Sequence, residues 1–291
     1  MIYIQSLGGL GNQLFVWAGA HKISEMFSEA VCILNIIDKN LRDDRANELD
    51  GLAEHCIHEI NLQDSRVLSI FFRAIDRFKL EKNSFFKNLL QRLGVYTFEN
   101  PVEHIEFSKG KPRLVRCYFQ RNDYVDSVWG QISREIHEFL NHTVVPEINL
   151  LSTGQIIHFR RGDTVNLQST HGLLSTHYFL RNMSPNLETI VCTDDMSYRD
   201  FIEKEFNTRL IFTPLDTSTW QSLKILCVAK EFIGSNSTLS WWAAKIRSKS
   251  EKNASILPRP WTVSGSNYEH GLNIPEVRFV VAQFEGQVES V

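Results

Sequence analysis

An α/β fold built from two parallel-sheet domains is what this sequence predicts, and three observations carry it. Ile2–Leu7 reads as a strand that runs into Gly8-Gly9-Leu10-Gly11-Asn12-Gln13 and then into the helical stretch Leu14–Ala18. Strand, glycine loop and helix start form a β–α unit in which backbone can approach a ligand and a helix N-terminus offers N–H groups. In the second half, strand-like apolar runs alternate with helical periodicity, the pattern of a parallel sheet covered on both faces. A length of 291 residues suits one large or two medium domains, at roughly 100–200 residues each.

Taken in order, Val31–Ile36 is the second strand, with Asp38 and Asn40 after it. From Arg66 to Phe98 the character changes. Arg66, Arg73, Arg77, Lys79, Lys82, Lys87 and Arg92 face only Asp76 and Glu81, a local net charge of +5. Phe71, Phe72, Phe78, Phe85, Phe86, Leu89 and Leu90 are interleaved with these cations. The stretch reads either as a basic amphipathic surface for anionic lipid or as ordinary core on helices with solvated charged faces, the second being the commoner outcome. Leu114–Phe119 is a further strand leading into Gln120–Tyr124, and Val128–Leu140 a helix. Pro146 opens a linker, so the first domain is placed at 1–145 and the second at 146–291. In the latter, Gln155–Arg160, Thr189–Thr193, Leu210–Phe212, Glu231–Gly234 and Ser255–Leu257 are strands, and Trp220–Lys230 and Leu239–Arg247 helices.

Composition narrows the function. Hydrophobic content of 43% and charged content of 22% describe a globular chain able to bury a core. A net charge of −3 argues against a general nucleic-acid binder. Cys32, Cys56, Cys117, Cys192 and Cys227 are scattered and never form Cys-x-x-Cys, which suits reduced thiols in a cytoplasmic protein. The N-terminus enters Ile2-Tyr3-Ile4 without a basic, then apolar, leader.

Three strand ends of the second half are chemically unusual. Gln155–Arg160 closes on His158-Phe-Arg160-Arg161-Gly162-Asp163. Alternation puts His158 and Arg160 on one side and Arg161 on the other. Paired guanidiniums there suit a phosphate or pyrophosphate, whose oxygens a planar fork bonds two at a time. A structural Arg–Asp pair capping the strand is the plainer alternative. Thr189–Thr193 ends in Asp194-Asp195, which could also cap the next helix. Gly234-Ser235-Asn236-Ser237-Thr238-Leu239-Ser240 would present N–H groups to an anion, or Ser237 or Thr238 could act only as an N-cap. All three ends open on one crevice of a parallel sheet, where such sheets bind ligands.

Other chemistries fit less well. Leu14 occupies the third glycine position of a dinucleotide fingerprint begun by Gly9 and Gly11. His55-x-x-His58 and His171 have no companion ligands, and no Asp-x-Asp occurs to hold a divalent ion on a pyrophosphate. A Gly-x-Ser-x-Gly elbow is likewise missing from the sequence.

With these residues in view, the chain resembles the α-1,2-fucosyltransferases of bacterial surface-glycan synthesis. The matching pieces are Gly8-Gly-Leu-Gly-Asn-Gln-Leu-Phe15, Tyr118-Phe-Gln120, His158-Phe-Arg-Arg-Gly-Asp163, Thr193-Asp-Asp195 and Ser235-Asn-Ser-Thr-Leu-Ser-Trp-Trp-Ala-Ala244, in family order. Val16-Trp17 stands where a Gln-Tyr-like pair is usual, and Thr164 where an aromatic is common. The resemblance implies a GT-B architecture: two Rossmann-like domains facing across a cleft, with the nucleotide sugar on the C-terminal one and the acceptor on the N-terminal one. It implies GDP-β-L-fucose as donor, no metal, and inversion to an α-1,2 link on a galactoside, including lipid-linked ones. Arg160, His158 and Asp163 are then the catalytic candidates. Arg160 faces the β-phosphate, His158 lies beside the nucleotide, and Arg161 holds local structure through Asp163 or Asp195. Gly9, Gly11, Asn12, Arg161, Asp194, Asp195, Ser235, Asn236, Ser237, Thr238 and Ser240 are the donor-binding candidates. The expected place of work is the cytoplasm, with peripheral contact at the inner face of the membrane through Arg66 to Phe98. Three alternatives stay open: transfer of another GDP-deoxyhexose such as colitose, a nucleotide-dependent oxidoreductase, and a non-catalytic GDP-sugar-binding module.

Overall fold

The computed structural model describes residues 1–37, 47–52, 57–61, 83–98, 104–145, 153–206, 210–214, 216–249, 254–263 and 271–286. Asp38, Asn40, His55 and most of the basic stretch, residues 66–82, lie outside them. The chain divides into two units, Met1–Phe139 and Leu140–Val291. The division falls in the last turn of a helix that continues to His142, a little before the linker that Pro146 suggests.

In the first unit the elements run β1 (Ile2–Gln5), α1 (Leu10–Phe27), β2 (Val31–Ile37), β3 (Ile57–Asn61), α2 (Ser84–Arg92), β4 (Val95–Thr97), β5 (Leu114–Arg116) and α3 (Asn122–His142). The strands form one parallel sheet in the order β3-β2-β1-β5-β4. The order reverses between β1 and β5, so the crevice of this unit opens beyond those two strands. Helix α1 buries Leu14, Phe15, Val16 and Trp17 almost completely, the all-round burial expected of a helix that is apolar on every side. It stops at Ser28, whose left-handed backbone (φ 50°) turns the chain away. Gly19 lets the Phe119 ring lie on α1, since a Cβ there would come within 2.3 Å of the ring. Helix α3 starts at Asn122, earlier than the apolar periodicity suggests. Asp123 lies in its first turn and the Asn122 amide donates to Asp126 at 2.8 Å, so polar residues that resemble a loop open the helix.

The second unit contains β6 (Gln155–Phe159), a 3-10 turn (Asp163–Leu167), α4 (Thr176–Asn182), β7 (Thr189–Thr193), α5 (Arg199–Phe206), β8 (Leu210–Phe212), α6 (Thr219–Val228), β9 (Glu231–Ile233), α7 (Thr238–Arg247), β10 (Ala254–Arg259) and β11 (Arg278–Val281). All pairings are again parallel, in the order β11-β10-β9-β6-β7-β8. Here the reversal lies between β6 and β9. Two parallel-sheet units of this kind are the pair of Rossmann-like folds that the sequence predicts.

Every residue of central β6 is buried, as a parallel strand covered on both faces requires. Ile157, Phe159, Tyr178, Phe179, Val191 and Ile202 form the core against it. Helix α7 is buried from Leu239 to Arg247, with Trp241 and Trp242 at 0% exposure. At roughly 25 cal/mol per Å² and about 150–250 Å² per ring, each indole contributes on the order of 4 kcal/mol against the ordering entropy. Arg247 at the end of α7 is 1% exposed. Its guanidinium donates to the carbonyls of Leu226, Cys227 and Ala229 from Nη1, to those of Lys230 and Ala254 from Nη2, and to the Ser255 hydroxyl from Nε. A cation thus closes the C-terminus of α6, where the helix dipole is negative. After β11 the chain returns along the sheet: Ser175 N–H donates to Gln283 O and Glu285 N–H to Leu173 O, each at 2.8 Å. Among the described residues no helix is long and apolar enough to cross a membrane.

Candidate active site

One carboxylate shapes the end of β6. Phe159 pairs with Thr193, so the loops after β6 and β7 leave the sheet side by side. Asp194 Oδ1 accepts from the N–H groups of Arg161 (2.8 Å) and Gly162 (3.1 Å). Its Oδ2 lies 3.1 Å from Arg160 Nε. A Cβ on Gly162 would stand 2.3 Å from that oxygen, so the close approach requires glycine. Two backbone N–H groups fix the carboxylate, and its ion pair in turn orients the Arg160 guanidinium. The Arg160 side chain is 27% exposed at the rim of the sheet's C-terminal edge.

Arg161 is held differently. Its side chain is 11% exposed, pairs with Glu285 through Nη1, and lies 3.7 Å from Asp195 through Nε. The guanidinium carbon sits 3.6 Å from the centroid of the Tyr198 ring, a cation–π contact. This is local structure through Asp195, one of the two partners the sequence proposes. Asp163 begins the 3-10 turn, and its side chain lies outside the described residues. Asp195 also receives the N–H and hydroxyl of Ser197. It therefore caps the turn into α5, the plainer of the two roles open to it in the sequence.

The β9–α7 loop is tied to β6 across the reversal. His158 Nδ1 and Ser240 Oγ are 2.6 Å apart, and Ser240 Oγ also accepts from Ser235 N–H at 3.0 Å. Tyr178 OH donates to Gly234 O at 3.0 Å, its pKa raised by burial. The Asn236 amide donates to the carbonyls of His171 (2.9 Å), Gly172 (3.2 Å) and Trp261 (3.3 Å), which pins the loop from the other side. Ser237 is the N-cap of α7, its hydroxyl accepting from Leu239 N–H at 3.3 Å, and Thr238 is the first helical residue. Because α7 follows a parallel strand, its N-terminus lies at the same sheet edge as Arg160.

The sequence puts His158 beside the nucleotide and on one side with Arg160. The structure buries it to 3% exposure beneath the loop, engaged toward β9 while Arg160 engages toward β7. β6 ends at Phe159, and Arg160 is the first residue of the loop that follows. Burial first, and then the Arg160 charge, push the imidazole pKa down to about 4, against a smaller pull from Asp194. At neutral pH it is an uncharged hydrogen-bonding group.

Of the glycine loop Gly8–Gln13 expected in the first unit, only Gly8 and Gly9 are loop, since α1 begins at Leu10 with Gly9 as its N-cap. Gly8 has φ +69° and would clash with the Asn12 amide if it carried a Cβ. Asn12 Oδ1 accepts from Gln120 Nε2 at 2.8 Å across the β1/β5 reversal. Gln13 donates to Gly8 O and accepts from Glu48 N–H, at 2.9 and 2.8 Å. The Glu48 carboxylate accepts from Leu10 N–H at 3.2 Å. An anion, the Glu48 carboxylate, already sits at the start of α1 beside Gly9 and Gly11, and a second negative charge there would be repelled.

The sequence profile of glycosyl transferase family 11 matches residues 60–262. The chain belongs to glycosyl transferase family 11. It is 24% identical to the O-antigen biosynthesis glycosyltransferase WbnK of Escherichia coli over 89% of this chain and 94% of that one. It is 23% identical to an Escherichia coli alpha-1,2-colitosyltransferase over 87% and 90% of the two chains. Among solved structures, a glycosyl transferase family 9 protein from Veillonella parvula aligns over 96% of this chain and 86% of its own, at 11% identity and a TM-score of 0.48.

The family 11 match contains Arg160, Asp194 and the Ser235–Ser240 loop, and it excludes both the glycine loop at Gly8 and the clamp residue Glu285. Glu285, Tyr198, Tyr178 and Glu48 are contacts that sequence reasoning misses. Each is an ordinary residue in its own segment, made relevant by a partner far away in the chain. Among the described residues, no group of three or more His, Cys, Asp or Glu comes together as a metal site.

Proposed function

We propose that this family 11 glycosyltransferase moves L-fucose from GDP-β-L-fucose to the 2-hydroxyl of a galactoside, with inversion, in the synthesis of an O-antigen-like surface glycan. The observation that carries the reading is Arg160, held by Asp194 beside the N-terminus of α7 at the β6/β9 reversal. As the acceptor oxygen bonds to the anomeric carbon and gives up its proton to solvent, the bond to the β-phosphate oxygen breaks and GDP leaves with the electron pair. Negative charge grows on that phosphate. A fixed guanidinium there stabilises the transition state more than the ground state. The Ser235–Ser240 loop and the first turn of α7 would take the remaining phosphate or ribose oxygens through backbone N–H groups. His158 and Arg161 act through the loops they hold, as positioning residues. Charge on the donor is met by arginine and helix dipole, so the reaction runs without a metal.

Transfer assayed with GDP-fucose and a galactoside tests the reading, and Arg160→Lys tests its centre. Lysine keeps the charge and loses the planar fork. Transfer reduced about 100-fold is expected; near-normal transfer removes Arg160 from the role. A second reading has a specific support, the similarity to an alpha-1,2-colitosyltransferase. Colitose in place of fucose needs few altered contacts around the sugar. A panel of GDP-deoxyhexoses on one galactoside separates the two, colitose transferring while fucose does not.

A further inference from the structure

Helix α2 is the described element whose exposure runs against its composition. Asn83 starts it firmly, its side-chain oxygen accepting from the N–H groups of Phe85 (3.0 Å) and Phe86 (3.4 Å). Of its apolar residues only Leu90 is buried. Phe85 is 70% exposed, Phe86 40%, Leu89 45%, and Leu93 at the C-cap 60%. At about 100° per residue these four fall within one arc of roughly 100°, while Lys87, Asn88 and Gln91 occupy the rest of the circumference. Phe85 and Phe86 pack edge to face at 5.6 Å. The result is a contiguous apolar stripe rather than scattered exposed side chains.

Charge decides what such a stripe fits. Lys87 and Arg92 are the charged residues of 83–98, with no carboxylate among them. They end a sequence stretch of net +5 in a chain of net −3. A second copy of the chain would set Lys87 and Arg92 against their own counterparts, because a two-fold contact pairs like patches. An anionic surface meets no such repulsion. A helix of this length, about 14 Å, is far too short to span a bilayer and suits lying in its interface. We propose that α2 is a docking element for an anionic lipid bilayer, with Phe85, Phe86, Leu89 and Leu93 among the upper acyl chains and Lys87 and Arg92 at the phosphates.

Flotation with vesicles of phosphatidylcholine and phosphatidylglycerol, against phosphatidylcholine alone, tests this without reference to catalysis. The parent protein should float with anionic vesicles at low salt and much less with the neutral ones. Phe85→Ser/Phe86→Ser/Leu89→Ser should lower the partition at least tenfold with an unchanged circular dichroism spectrum. Lys87→Glu/Arg92→Glu, which removes no apolar packing, should lower it about tenfold and only on anionic vesicles. Failure of the parent to float at low salt overturns the proposal, as does flotation of either variant with anionic vesicles as strong as the parent's. So does a parent dimer, seen by ultracentrifugation, that the serine variant turns monomeric while flotation is unchanged.

Discussion

Replacing Asp194 by asparagine separates orientation from charge at the end of β6. The retained Oδ1 can still accept from Arg161 and Gly162 N–H, so the loop keeps its course. The other side-chain oxygen, 3.1 Å from Arg160 Nε, becomes an NH₂ group facing a donor. Both side chains of that pair are a little over a quarter exposed, so the lost ion pair costs stability no more than about 1 kcal/mol after solvent screening. The kinetic cost is larger. A pre-oriented donor on developing charge is worth on the order of 100–1000-fold in kcat, and a guanidinium that loses its anchor forfeits part of that. We expect kcat to fall about 10–100-fold with KM for the donor nearly unchanged, measured by steady-state transfer to a galactoside, and a melting point within a few degrees of the parent. Because Asp194 acts through Arg160, the Arg160→Lys/Asp194→Asn double variant should be no slower than the slower single one. A double variant showing the full product of the two single losses would refute the coupling, and normal kcat in Asp194→Asn would refute the role itself.

Three further outcomes follow from the same geometry. His158 is held neutral, so between pH 6.5 and about 4 the unfolded chain binds a proton that the folded chain does not. Stability is complete above that window and falls as pH drops through it, by on the order of 3 kcal/mol; urea midpoints at pH 7 and 4.5 should diverge in the parent and converge in His158→Gln, and equal divergence would count against the assignment. Arg247→Met strands the carbonyls that close α6, an expected loss of at least about 3 kcal/mol or roughly 10 °C in melting temperature, and a shift under 2 °C by calorimetry (about 1 kcal/mol or less) would show that water replaces the guanidinium. Transfer should keep its full rate in excess chelator; abolition restored by manganese or magnesium would overturn metal independence.

The parts of the site legible in the sequence are those whose signal is local. The ends of β6, β7 and β9 stand out because each joins an apolar run to charged or hydroxylic residues within a few positions. Their wiring is not local. His158 meets Ser240 across 82 positions, Arg161 meets Glu285 across 124, and nothing in either segment names its partner. Short strands such as β4 and β11 carry too few residues for alternation to show. Phe85 and Phe86 mislead in the opposite direction: their composition suggests core, yet α2 buries only Leu90. Asn122 and Asp123 read as loop because the residues that open a helix are those that also make turns.

The stretch after β11 has a practical consequence for anyone handling this protein. Leu174 bridges Phe284, and Glu285 reaches back to Arg161. A chain ended between Val281 and Gln283, by a protease or by an early stop codon, would lose one wall of the loop that carries Arg160 without any change to the β6 motif. Such a truncated protein would also lose Phe284, a buried core side chain, and should be both less stable and slower. Affinity handles belong at the other end of the chain, and a sluggish preparation should be checked by intact mass before its chemistry is doubted.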